Sequence, residues 1–101
     1  MKHLELKEGR LSEDSVTLLR QYSDMLECQC PGKLLEILDE IRNFNRYTTA
    51  CIEQFPADAK THQWLQTAAL NLDSLLCGTI IQLARLEGFV NDQNQLAPRK
   101  T

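Results

Sequence analysis

Thr61-His62-Gln63-Trp64-Leu65-Gln66-Thr67-Ala68-Ala69-Leu70-Asn71-Leu72-Asp73-Ser74-Leu75-Leu76-Cys77-Gly78-Thr79-Ile80-Ile81-Gln82-Leu83-Ala84 contains a single formally charged residue, Asp73. Leu65, Ala69, Leu72, Leu76, Thr79, Leu83, Leu86 and Val90 recur at close to heptad spacing, the period of a helix that packs along one seam. The pattern predicts a helix over about 58–90, with Asp58 as N-cap and Gly88 near its end. Leu75, Leu76, Ile80, Ile81, Leu83 and Ala84 spread around more than one face, so this helix needs cover on several sides. Large exposed apolar patches are uncommon in soluble monomers. The expectation is therefore a two-fold homodimer, with Leu72, Leu76, Thr79, Ile80, Leu83 and Leu86 at the interface. The plainer alternative is a monomer whose first helix and N-terminal arm cover everything.

Upstream, Pro31 is a favourable first helical residue, and Leu34, Leu38, Ile41, Phe44/Asn45, Thr48, Ile52 and Phe55 form a stripe that Pro56 ends. This predicts a second helix over about 31–55. Ser12 stands as N-cap before Glu13 and Asp14, and Leu11, Ser15, Leu18, Tyr22 and Met25/Leu26 follow at helical steps, giving a first helix over about 12–28. Leu4-Glu5-Leu6 alternates like a strand but has no evident partner, so residues 1–10 are read as a flexible arm. The polar stretch 91–101 is read as a disordered tail and 11–90 as one domain. The fold class is all-α: an antiparallel helical hairpin plus a shorter N-terminal helix, a three-helix bundle dimerising into a larger one. Helices of about 26, 36 and 50 Å do not match in length, which leaves the far end of the third without a neighbour in its own chain.

A chain of 101 residues suits one domain, and 43% apolar with 25% charged residues is an ordinary globular composition. A net charge of −3 without a basic cluster argues against nucleic acid or an anionic membrane as partner. The charged N-terminus lacks a signal-peptide core, and Gln82 and Arg85 interrupt the best apolar run, so no membrane span and a cytoplasmic location are expected.

In a reducing compartment Cys28, Cys30, Cys51 and Cys77 are free thiols, metal ligands or redox groups. Cys28-Gln29-Cys30-Pro31 places Cys30 at the expected N-cap of the second helix, where the dipole lowers a thiol pKa. Counting levels from the Pro56 turn puts Cys77 opposite residue 35 or 36, one to two turns from that link. Cys28, Cys30 and Cys77 then become candidate ligands for zinc or copper(I), with a fourth ligand from a second copy. Cys51 and His62 fall together near the turn as a second cluster. The blander readings are a tolerated cap, buried apolar thiols and a partly exposed histidine. Phe44, Tyr47, Phe55 and Trp64 gather near the turn as hairpin-end core or the lining of a small pocket. Glu-x-x-His, His-Glu-x-x-His and Gly-rich phosphate loops are absent, so an enzyme is not expected. Gly78, costly inside a helix, marks a close approach to another helix or a dimer partner.

The run Cys30-Pro31-Gly32-Lys33-Leu34, then Arg42-Asn43-Phe44-Asn45-Arg46-Tyr47, Cys51, and Pro56-Ala57-Asp58-Ala59 with His62 and Leu65 resembles a small helical accessory module. That module occurs at the C-terminal end of some bacterial MerR-type transcriptional regulators and in stand-alone bacterial proteins. The likeness covers roughly Met25 to Ala84. Only about ten residues precede the first helix, too few for the winged helix-turn-helix of those regulators. The resemblance therefore implies a dimerising or sensing module without its own DNA-binding domain, working beside another regulatory protein. The expected function is a non-enzymatic interaction or regulatory module; a thiol-based metal or redox sensor is the alternative, and a small enzyme a distant third.

Overall fold

A computed structural model of the chain describes residues 2–96, so residues 97–101 of the expected tail lie outside the described residues. The order is β1 (Leu6–Lys7), β2 (Arg10–Leu11), α1 (Glu13–Ser23), α2 (Cys30–Gln54), a single 3-10 turn (Pro56–Asp58) and α3 (Ala59–Leu86). The chain is mostly helical, with one small two-stranded hairpin added to the expected three helices.

Local chemistry sets the ends. Ser12 caps α1, its Oγ accepting from the Ser15 N–H at 3.1 Å. α1 stops at Ser23, about a turn before the expected end, because the N–H groups of Met25 and Leu26 bond back only three residues and the chain reverses. α2 begins at Cys30, with Pro31 in its first turn and no side-chain cap from Gln29. Asp58 precedes α3, but its side chain caps nothing. α3 ends at Leu86 rather than 90 in a left-handed C-cap. Gly88 has φ +85° and its N–H bonds to the Arg85 carbonyl, while Phe89 N–H bonds to the Ala84 carbonyl.

α2 and α3 pack antiparallel about the Pro56 turn, with Arg42 meeting Asp73 and Thr49 meeting Gln66, pairs equidistant from the Ala57–Asp58 step. α1 and the hairpin cover only the open end of this pair. There the core collects Leu11, Val16, Leu19, Leu35, Leu38, Ile80 and Ala84. Near the turn α2 and α3 stand without a third layer, and the molecule measures 56 × 24 × 18 Å.

Two expectations are corrected here. Residues 2–10 do not form a free arm: Leu6 pairs with Leu11 across a turn in which Glu8 and Gly9 both have positive φ, and Leu4 is buried. A Cβ on Gly9 would lie 2.5 Å from Ser74 Oγ, so glycine is what lets the hairpin lie against α3. Nor are residues 91–96 disordered. Leu4 N–H donates to the Asn94 carbonyl and Leu96 N–H to the Lys2 carbonyl, both at 2.8 Å, and Phe89, Val90 and Leu96 are buried. Arm and tail hold each other, each satisfying backbone groups the other would leave unpaired.

Candidate functional site

The charged centre of the fold is Arg42. From mid-α2 its Nε and Nη2 grip both Asp73 carboxylate oxygens at 2.8 and 3.1 Å, Nη2 also reaches the Leu11 carbonyl at 2.7 Å, and Nη1 meets Glu13 at 3.1 Å. Asp73 is 4% exposed. Its forked pairing with Arg42 keeps the guanidinium firmly charged and leaves no unpartnered buried carboxylate. Cys77 completes the group, its thiol donating to Asp73 Oδ1 at 3.3 Å and accepting from Leu11 N–H at 3.3 Å. Burial above all pushes this thiol's pKa up, so it stays protonated. The arrangement pins β2, α2 and α3 together.

That placement does not bring the three candidate thiols together. The α2–α3 register sets Cys77 opposite Leu38–Arg42, not residue 35 or 36, and Cys30 opposite the C-terminal end of α3. The two levels are about 12 Å apart along the helix. Cys28 and Cys30 are exposed and Cys77 is fully buried. Among the described residues no three Cys, His, Asp or Glu side chains converge as a metal would require. Cys30 lies in the first turn of α2 rather than at its N-cap. Its pKa is raised, not lowered, first by the hydrogen bond its protonated thiol donates to Cys28 and then by repulsion from Cys28 once that group is ionised. Cys51 is buried, whereas His62 is half-buried and its Nδ1 lies 3.0 Å from the Asp58 carbonyl. Among the described residues no hydrogen bond joins Cys51 to His62. Phe44, Tyr47, Phe55 and Trp64 are neither core nor a closed pocket; all four are exposed.

The expected interface residues divide between two faces of α3. Ile80 is buried and Leu76 packs against the core, because the inward stripe is Ala69, Asp73, Cys77, Ile80 and Ala84. Leu72, Thr79 and Leu86 are exposed and Leu83 half-buried. Leu75, which the heptad stripe omits, is 68% exposed and Leu86 74%. Ser74, Leu75, Gly78, Thr79, Gln82, Leu83 and Leu86 line an open groove of about 490 Å³. A Cβ on Gly78 would meet nothing within 4 Å, so its bare backbone approaches no helix of its own chain. Trp64, Leu72, Leu75, Thr79 and Leu86 extend this uncharged outer stripe along most of α3.

The chain matches no protein-family model, no curated protein and no solved structure.

Proposed function

We propose that the chain is a non-enzymatic interaction module that acts as a homodimer, docking through the outer face of α3. The exposed stripe of Leu72, Leu75 and Leu86 around Gly78 carries this reading. Burying a leucine that is exposed in one copy stabilises association by about 1.5–3 kcal/mol at most. The face bears no charge, so its own two-fold copy complements it without an opposite-sign partner, and Gly78 lets two backbones approach. The bare half of the α2–α3 pair points the same way, since α1 starts beside Arg42 and runs towards the open end, away from Phe44 and Trp64. In this reading the dimer works in a bacterial cytoplasm, where four free thiols persist, and presents its surface to another regulatory protein.

Length and composition alone would let 56–86 cross a membrane, a test that the core helix of a soluble protein also passes. Asp73, ion-paired with Arg42 of α2, lies in the middle of that stretch and the β1–β2 hairpin packs beside it, which supports a packed helix instead. The thiol-sensor alternative has less support: the raised pKa of Cys30 works against thiolate chemistry.

Light scattering and sedimentation at tens of micromolar test the assembly. The expected result is a dimer that Leu75→Glu with Leu86→Glu converts to a monomer of unchanged helicity. A wild-type monomer, or a dimer indifferent to both substitutions, defeats the proposal.

A further inference from the structure

The basic side chains of this acidic chain are not spread evenly. An open groove of about 400 Å³ lies between the hairpin, the start of α1 and the middle of α2. Lys7 from β1, Arg10 from β2 and Arg42 and Arg46 from α2 line it, against only Glu13 and Asp73. Arg42 is neutralised by Asp73, but the other three cations are spent on little. Arg46 donates to the neutral Asn43 side chain. Arg10 meets Glu8 across 3.4 Å as a surface pair that water screens, and Lys7 has no ion pair among the described residues. The groove thus holds a surplus of positive charge in a protein of net charge −3.

The ring is also braced. Arg42 uses four of its five N–H bonds on Asp73, Leu11 and Glu13, so its guanidinium is immobile and one Nη1 hydrogen remains. Lys7, Arg10 and Arg46 reach the groove from three separate elements around this braced arginine, and guanidinium groups suit the paired oxygens of a phosphate or carboxylate.

We propose that this groove binds a small dianionic oxyanion, such as a phosphate monoester or dicarboxylate, held by Arg10, Arg46 and Lys7 over the fixed Arg42. The site is independent of the α3 docking face. Inorganic phosphate and succinate serve as probes, added at low salt to the full chain while backbone amide shifts are followed by NMR. The expected result is saturable one-to-one binding, with shifts confined to residues 7–13 and 42–46. Arg10→Ala and Arg46→Ala should each weaken it about tenfold, as loss of a charge-assisted bond does. Arg20→Ala, which removes an exposed arginine about two turns further along α1 that pairs with Asp39 and does not line the groove, should leave it unchanged. Circular dichroism of the variants verifies that all are folded. Binding that fails to saturate, shifts scattered over the surface, or equal losses in all three variants would overturn the site.

Discussion

Cys30 illustrates how one neighbour reverses an inference drawn from position alone. The first turn of a helix favours a thiolate, but Cys28 stands close enough to hydrogen-bond to it and to repel it once ionised. At any given pH below its titration, Cys30 therefore carries less thiolate than an ordinary cysteine. Alkylation of Cys30 by iodoacetamide, followed by mass spectrometry across pH, should show a midpoint above the usual thiol value. Cys28→Ala should move that midpoint down and speed the reaction near neutral pH; an unchanged or slower reaction would contradict the assigned cause. Asp73 was legible in the sequence as the lone charge in a long apolar stretch, yet its partner was not. Periodicity tells which side a residue takes but not what it meets, and Arg42 reaches Asp73, Cys77 and the Leu11 carbonyl only after α2 folds back on α3. The separation of the three thiols has the same origin, since a register error of two or three residues along α3 carries Cys77 away from the Cys28–Cys30 link.

At the level of elements, the helices could be read because their ends are set locally. Ser12, Pro31, Pro56 and Gly88 each act within a turn of their own position, and each lies where a helix begins or ends. The arm and tail could not be read that way. Their bridges join His3 to Gln95 and Val90 to Leu96, and the first pairing spans almost the whole chain. A short polar segment beside Leu4 looks like a free end until its partner is known. Phe89 anchors the join, stacked on Tyr22 with ring centroids 6.1 Å apart. Amide exchange followed by NMR checks this clamp directly. The N–H groups of Leu4 and Leu96 should exchange far more slowly than in an unstructured peptide, and Phe89→Ala should erase that protection while costing about 3–5 kcal/mol of stability. Fast exchange at both positions in the wild type would return the two segments to a free arm and tail.

Across the whole molecule, the decisive quantity is shape. The radius of gyration is 15.6 Å, where a compact chain of this length has about 13 Å. The excess comes from the half of the α2–α3 hairpin that α1 and the strands do not reach, the same half that leaves Trp64, Tyr47 and Phe55 in water. A two-helix rod buries little by itself: only Thr48, Cys51 and Ala69 are buried between Asn43 and Leu70. The length mismatch seen in the sequence thus becomes uncovered side chains, and a second copy along α3 would restore a layered core. If association supplies part of the folding free energy, stability depends on concentration by mass action. Each tenfold increase in protein then adds about 1.4 kcal/mol per dimer, which for a domain of this size is a rise of a few degrees in Tm. Thermal unfolding followed by circular dichroism from micromolar to hundreds of micromolar should show that rise in the wild type, with a flat Tm for Leu75→Glu/Leu86→Glu. The second trace separates association from generic concentration effects, because those charges remove the docking face and leave the buried stripe of Ala69, Cys77, Ile80 and Ala84 untouched. A wild-type Tm that stays level over the same range would mean that the exposed leucines contribute nothing to assembly, and that the long helix is stable with its outer face in water.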